Sequence, residues 1–167
     1  MVTPPPASPA LLAEAREFLA GFRSLQLATA NVQGEPLASY APYALLANGS
    51  FGLLLSDLAA HTANLRANPR ASLLCIAPEA ASEEIFARKR LVLQCSAVMF
   101  GPGEAQREQV VTALAQRFGA TVMQLASLPD FHGVVLKPLT ANYVTGFARA
   151  QALPVSGLYA PTAPEPE

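Results

Sequence analysis

The chain has 167 residues, of which 51% are hydrophobic and 14% are charged, and its formal net charge at pH 7 is −1. This length predicts a single domain. The near-neutral charge, without any stretch of Lys and Arg interleaved with aromatic residues, excludes a general nucleic-acid-binding protein. No apolar run approaches the roughly 20 residues of a membrane-spanning helix. The high apolar content indicates either a large core or a surface buried against a partner, and we favour a homodimer.

The ends of the chain and its cysteines predict the compartment. The N-terminal sequence MVTPPPASP has no basic n-region and no apolar h-region, so we expect no secretory signal and a cytoplasmic protein. Cys75 and Cys95 lie within apolar runs and are expected to be buried free thiols in a reducing environment. A disulfide, or a metal site shared with a histidine, is the alternative.

A helix is predicted near the N-terminus. Ser8 is a good N-cap residue and Pro9 suits the first helical position. Apolar residues then recur at helical spacing as far as Phe22. Residues 1–7, which are rich in proline, are predicted to be flexible.

Three strands are predicted next, and short connections indicate an antiparallel meander. Ser24–Ala30 is followed by a turn and then by Leu37–Leu46, which contains Pro42. Because proline cannot donate a ladder hydrogen bond, this residue belongs at an edge or a bulge. The Asn-Gly pair at 48–49 is a strong hairpin signal that leads into the third strand, Phe51–Leu55.

The rest of the chain alternates between strands and helices. The predicted elements are strand Ala71–Ile76, strand Leu91–Phe100, helix Glu104–Phe118, and a last pair of strands, Phe131–Leu136 and Ala141–Phe147, on either side of Lys137 and Pro138. Residues 150–167 are rich in proline and alanine and are predicted to be disordered. The domain therefore spans residues 8–149, and its pattern predicts an α+β fold with six or seven strands in a small closed or nearly closed barrel.

The segment between the third and fourth strands indicates an anion-binding site. Ser56 and Asp57 end the apolar run and form a helix-cap signal before a short amphipathic helix that carries His61, Thr62 and Asn64 near its start. Free backbone N–H groups and the dipole of a helix N-terminus both favour negative charge. The sequence therefore predicts a ligand that bears phosphate.

Four stretches, in this order, resemble a known family. They are LATANVQGEPLASYAPY, LSDLAAHTANLRANPRASL, FARKRLVLQCSAV and DFHGVVLKPLTANYVTGF, within roughly residues 25–148. Together they resemble the FMN-binding split-barrel superfamily typified by pyridoxamine 5′-phosphate oxidase. They are more similar to its haem-utilisation branch, whose members bind or degrade haem.

This resemblance implies a split barrel that forms a homodimer, with FMN or haem as the small-molecule ligand in a cleft between the subunits. The cofactor-binding residues that it implies are Ser39, Tyr40, Ala41, Pro42 and Tyr43 on the second strand, Ser56, His61, Thr62 and Asn64 at the start of the short helix, and Arg88 and Arg90 from the partner subunit. Asp130 is implied as a residue that orients a haem ligand. No catalytic residue and no metal ligand is predicted.

The chain also departs from the oxidase pattern. Ser39 and Ala44 stand where that pattern has an Arg and a Lys, so two cationic contacts are missing and pyridoxamine phosphate oxidation is not expected. The haem-utilisation branch lacks these charges too. In that branch a histidine near the C-terminus ligates haem iron, but no histidine follows His132 here, and Tyr159 is the one conceivable ligand in the tail.

Several interpretations stay open at this point. The chain could bind FMN or haem and degrade haem, could be an FMN-dependent oxidoreductase or flavin reductase, or could be a carrier without turnover. His61 could be exposed or could contact a phosphate or propionate, and the cations of residues 88–90 could form an ordinary solvated surface. Tyr40 and Tyr43 are expected to share one strand face, either for core or dimer packing or for stacking on a planar cofactor.

Overall fold

The computed structural model describes residues 7–159 and has an α+β fold built on one antiparallel sheet. Its strands are β1 (Ser24–Ala30), β2 (Pro36–Pro42), β3 (Ala44–Leu45), β4 (Phe51–Ser56), β5 (Arg70–Ile76), β6 (Arg90–Phe100), β7 (Phe131–Gly146) and β8 (Arg149–Leu153). Its α-helices are α1 (Pro9–Ala20), α2 (Ala60–Ala67), α3 (Ala105–Phe118), α4 (Ala120–Ala126) and α5 (Val155–Leu158). The predicted fold class is confirmed. None of the described helices has the length and apolar character needed to cross a membrane.

The sheet closes on itself at a single residue. Its strand order is β2-β1-β5-β6-β7-β4-β3, so that β2 and β3 are the two ends of the path. Only Tyr43 separates these two strands along the chain. The strand predicted at Leu37–Leu46 is therefore split just after Pro42, the residue that cannot donate to the ladder. Its first half pairs with β1 and its second half pairs with β4.

The last predicted pair of strands is instead one continuous strand, which corrects the prediction. β7 runs for 16 residues and pairs with β6 along its length, with β4 through its first half and with β8 through its second half. Opposite the step from Gln94 to Cys95, the register skips Leu139. This bulge lies next to Pro138, so the strand accommodates the proline where a turn was expected.

The segment predicted as a disordered tail is ordered as far as the structure describes it. Strand β8 pairs with β7, and Leu153 and Leu158 are buried in the main core. The ring of Tyr159 packs edge-on against Phe51, with 5.9 Å between the ring centroids. The domain therefore includes these residues, because their apolar side chains complete the core. Residues 1–6 of the predicted flexible N-terminus and residues 160–167 lie outside the described range.

Two apolar clusters hold the fold together. The larger one fills the barrel with alternate residues of the strands, as the two-residue period of a strand requires, and α1 covers it with Ala15 and Leu19. The smaller one packs α3 and α4 against the β3–β4 hairpin through residues that include Ala44 and Val110. Both cysteines are buried free thiols, as predicted, and burial raises the pKa of each to about 12.

We expect Gly133→Ala to destabilise the protein by about 1–3 kcal/mol, the usual cost of overpacking. A Cβ atom at this position in β7 would lie 2.9 Å from the Cα atom of Arg107 in α3. Gly146→Ala, in the same strand, is the matched control, because its Cβ atom would meet only the Arg149 Cδ atom at 3.8 Å. The free energy of unfolding in urea measures both variants. Equal effects in the two would contradict the close packing of α3 on β7.

Candidate functional site

The connection from β4 to α2 is built on Ser56. Its Oγ atom donates to Asp130 Oδ2 at 2.6 Å and accepts from the backbone N–H of Leu58 at 3.1 Å. Its carbonyl oxygen accepts from Thr62 Oγ1 at 2.7 Å. The helix begins only at Ala60, where no side chain caps it, so the predicted cap at Ser56 and Asp57 is wrong.

These hydrogen bonds occupy the hydroxyl groups of Ser56 and Thr62, two residues that were predicted to contact a phosphate. Thr62 is fully buried and its hydroxyl is used inside the fold, so the prediction that this side chain faces a phosphate is wrong. The hydroxyl of Ser56 is both donor and acceptor within the chain, and it links the β4 end to Asp130. The predicted site residues Ser56 and Asp130 are therefore brought together, 74 positions apart in the sequence.

His61 is held by Ser39 across the gap between α2 and β2. The Nδ1 atom of His61 lies 3.0 Å from Ser39 Oγ, which itself donates to the carbonyl oxygen of Leu27 at 3.0 Å. A hydroxyl has one proton, and a carbonyl oxygen can only accept. Ser39 Oγ must therefore accept from His61 Nδ1–H, and the neutral imidazole has its lone pair on Nε2.

That lone pair is available. Within residues 7–159 no group bonds to Nε2 of His61, and this atom is not among the buried polar atoms without a partner, so it keeps some solvent-accessible surface. Burial of the ring lowers the pKa of His61 below its ordinary value of 6.5. The imidazole is therefore neutral at pH 7 and presents an acceptor, or a metal ligand, at Nε2.

Asn64 fixes the same face of α2 one turn further on. Its Nδ2 atom donates to Thr29 Oγ1 in β1 at 3.0 Å. Residues three apart in a helix lie on one face, so His61 and Asn64 together hold α2 against β1 and β2. The side-chain amide of Asn64 thus orients the helix that carries His61.

The second strand presents its residues to two different environments. Tyr40 is 68% exposed, whereas Tyr43 is fully buried and Ala41 nearly so. Side chains of a strand alternate between faces, so residues three apart lie on opposite sides. The expectation that Tyr40 and Tyr43 share a face is wrong. The side chains of Ala41 and Tyr43 belong to the core and do not face a planar ligand, whereas Tyr40 and Pro42 point outward.

The outward face of β2, β1, β5 and β6 contains a shallow apolar groove of about 520 Å³. Its lining includes Ala28, Ala38, Leu74 and Val92, and the exposed ring of Tyr40 is on the same face because Tyr40 pairs with Gln26. This volume is within the usual range for small-molecule sites.

The predicted arginines lie apart from His61. Arg90 begins β6, which is three strands away from β2 in the sheet. Arg88 donates twice to the carbonyl oxygen of Ala77 and once to Glu79, so its guanidinium is used to hold the preceding loop. Arg90 bonds to the carbonyl oxygen of Arg88, and among the described residues no carboxylate pairs with it.

A second histidine cluster, which the sequence did not indicate, lies beside Asp130. Nε2 of His132 is 2.9 Å from Asp57 Oδ2, and Arg66 bonds to the other oxygen of the same carboxylate at 2.7 Å. The hydrogen bond from His132, followed by that from Arg66, lowers the pKa of Asp57. No group of three or more His, Cys, Asp or Glu residues among 7–159 is arranged to hold a metal ion.

Comparison with known proteins identifies the family. The model of the pyridoxamine 5′-phosphate oxidase family matches residues 11–145. The chain belongs to this family. It is 38% identical over 144 residues to the haem oxygenase HutZ of Vibrio cholerae, and the match covers 86% of this chain and 80% of HutZ.

Solved structures agree with this assignment. The crystal structure of Vibrio cholerae HutZ, described there as a haem storage protein, has a TM-score of 0.75 and 33% identity and covers 82% of this chain and 96% of HutZ. Campylobacter jejuni ChuZ has a TM-score of 0.78 and 26% identity, over 89% of this chain and 61% of that chain. A haem-binding protein from Mycobacterium smegmatis has a TM-score of 0.71 and 28% identity, over 95% of this chain and 62% of that chain.

We expect NMR to show that His61 titrates below its ordinary pKa and carries its neutral proton on Nδ1. Because the folded pKa is lower than the unfolded one, the folded state resists protonation, and stability falls as the pH drops below the unfolded value of about 6.5. Long-range ¹H–¹⁵N spectra report both tautomer and titration. His132→Gln assigns the two rings, and Ser39→Ala tests the acceptor. A neutral Nε2–H tautomer for His61 would contradict the assignment.

Proposed function

We propose that this chain binds haem and acts in haem utilisation as a homodimer. The observation that carries the proposal is its 38% identity to the haem oxygenase HutZ over 86% of its length. The likeness to two solved proteins whose names refer to haem, HutZ and the haem-binding protein from Mycobacterium smegmatis, supports the same ligand. The residues of the site give an independent reason to prefer haem to FMN.

The region where a flavin phosphate was expected offers few donors. Thr62 is buried and bonded, and Ser56 is bonded to Asp130. Arg66, the basic residue of α2, is paired with Asp57. In its neutral Nδ1–H form, His61 has no proton left on Nε2 to donate to a phosphate oxygen. Phosphate recognition needs donors and positive charge, so this region suits a phosphate poorly.

The free Nε2 lone pair of His61 suits haem. Haem iron brings four porphyrin nitrogens, so one protein donor with a free lone pair is enough to hold it, and imidazole is a common choice. When bound, haem supplies the redox and oxygen chemistry. The residues of this chain bind it, orient it and limit the access of water. Arg90, rather than Arg88, is the cation that we assign to a propionate across the subunit interface.

The outward groove supports a homodimer. It crosses four strands, its walls are largely apolar, and Tyr40 and Val98 are exposed large side chains of the sheet. Large aromatic residues on a flat apolar surface are typical of interfaces. We therefore propose that a second copy of the chain covers this face, and that the haem lies at the edge of the interface, on the side of β2 where Ser39 contacts His61.

We expect haemin to bind saturably at one equivalent per subunit, and FMN to bind more weakly or not at all. Absorption titrations of the purified protein measure both ligands, and light scattering measures the mass with and without haemin. Saturable FMN bands without a Soret shift would replace the proposal with an FMN-dependent oxidoreductase. A monomeric mass at micromolar concentration would contradict the dimer.

We expect Arg90→Ala to weaken haemin binding about tenfold, which is the cost of one charge-assisted hydrogen bond. Arg70→Ala is the matched control, because Arg70 is an exposed cation that begins the neighbouring strand β5 at the opposite end of the sheet. Equal losses in both variants would indicate a general charge effect and would remove Arg90 from the site. The thermal unfolding midpoint of each variant checks that the fold is retained.

The two descriptions of HutZ, as oxygenase and as storage protein, define the last distinction. If the chain degrades haem, the Soret band of the complex decays when an electron donor and oxygen are supplied. A complex whose Soret band persists under these conditions, relative to free haemin, identifies a storage or carrier protein.

A further inference from the structure

We propose that Nε2 of His61 is the protein ligand to haem iron, and that Ser39 positions this imidazole. The inference rests on the proposed haem binding and names the residue that would ligate the iron. It is argued from the state of the two histidines and of the buried cysteines and tyrosines.

Five side chains of the right type are unavailable, whereas Tyr40 and Met123 are exposed and remain competing ligands. Haem iron is held by His, Cys, Met or Tyr. Cys75, Cys95, Tyr43 and Tyr143 are fully or almost fully buried in the barrel. The hydroxyl of Tyr159 is buried too, and burial raises its pKa far above the ordinary value, so it does not supply a phenolate. Residues 160–167 contain none of the four residue types.

His132 is the second histidine of the chain, and its geometry is unfavourable. Its Nε2 atom is bonded to the Asp57 carboxylate, which leaves only Nδ1 for a metal. Nδ1 is adjacent to the carbon that carries Cβ, so the flat face of a porphyrin would meet the backbone of β7 there. Asp57 is in turn held by Arg66, which fixes this pair in place.

His61 has the opposite arrangement. Its Nδ1–H is donated to Ser39, and its Nε2, the nitrogen remote from the backbone, keeps its lone pair and some accessible surface. A metal-bound histidine typically donates its other N–H to a fixed acceptor, which sets the tautomer and the ring orientation. Ser39 is such an acceptor, because its own proton is held by the Leu27 carbonyl in β1.

The surroundings of His61 are ordered for this role before any ligand arrives. Asn64 ties α2 to Thr29, and the buried Thr62 ties it to the end of β4. A preorganised neutral donor binds without the cost of ordering the side chain.

Haemin and metal-free protoporphyrin IX are the probes that test this assignment. We expect His61→Ala to weaken haemin binding by more than about tenfold, the scale of effects seen even for residues behind a metal ligand. Binding of protoporphyrin IX should stay within about twofold of wild type, because the porphyrin contacts are unchanged. His132→Ala, measured in the same way, should leave the haemin spectrum unchanged, and Tyr40→Phe and Met123→Leu test the two exposed competing ligands.

The electronic spectra identify the ligand directly. His61→Gly with added imidazole should regain the wild-type Soret position and electron paramagnetic resonance signal, whereas His61→Gly alone should not. Ser39→Ala should keep the histidine bound but lower the iron–imidazole stretching frequency of the ferrous complex, because Nδ1–H loses its acceptor. Circular dichroism and the unfolding midpoint of His61→Gln check that the fold does not depend on the ring.

The outcomes separate the ligand assignment from the proposed function. If wild-type protein binds haemin saturably and His61→Ala has the same affinity and spectrum, His61 is not the ligand and haem binding stands. If Tyr40→Phe, Met123→Leu or His132→Ala changes the spectrum in its place, the assignment is likewise overturned. If wild-type protein does not bind haemin, the proposed function fails, and the ligand assignment fails with it.

Discussion

The barrel depends on one buried tyrosine at the point where its sheet closes. Tyr43 separates β2 from β3, its hydroxyl donates to the carbonyl oxygen of Leu19 at 3.0 Å, and the Arg117 guanidinium lies 4.7 Å from its ring centroid. Arg117 also donates to the carbonyl oxygens of Tyr43 and Phe22. A cation over a desolvated ring contributes up to about 2 kcal/mol, and each hydrogen bond about 0.5–1.5 kcal/mol. One residue thus joins the strand break to α1 and α3.

The geometry around His61 follows from that closure. β2 pairs with β1 in a register that places Ser39 opposite Leu27. This register positions the Leu27 carbonyl oxygen, which accepts the hydrogen bond from the Ser39 hydroxyl. The α2 helix is then fixed against the same two strands by Asn64. The tautomer of the His61 imidazole is therefore set by a strand pairing, because the acceptor of its N–H is itself oriented by the sheet.

Local signals in the sequence predicted the elements well, and long-range pairing produced the differences. Pro42 marked the strand break, and the Asn-Gly pair at 48–49 marked the hairpin, since both act through their own backbone. Pro138 also has no N–H group, but a bulge in β7 accommodates it, and the flanking pairing with β6 that makes this possible is invisible to a local pattern. In the site, Ser39 and His61 were both predicted as ligand-binding residues, but their contact depends on where α2 packs. The expectation that Tyr40 and Tyr43 share a strand face is wrong, because side chains three residues apart along a strand lie on opposite faces.

Two positions of the site differ from the oxidase pattern that the sequence resembles, and both differ in the same direction. Ser39 and Ala44 stand where that pattern has cations. Ala44 is buried against α3, so a lysine there would place a charge in an apolar cluster. The Ser39 hydroxyl donates a hydrogen bond to the Leu27 carbonyl oxygen and accepts one from His61 Nδ1–H. These two positions lack the positive charge and N–H donors of that pattern, and His61 beside Ser39 presents a neutral nitrogen lone pair. A phosphate dianion would find few partners here, whereas the iron of the proposed haem would find one, so the same barrel can serve a different class of ligand without a change of fold.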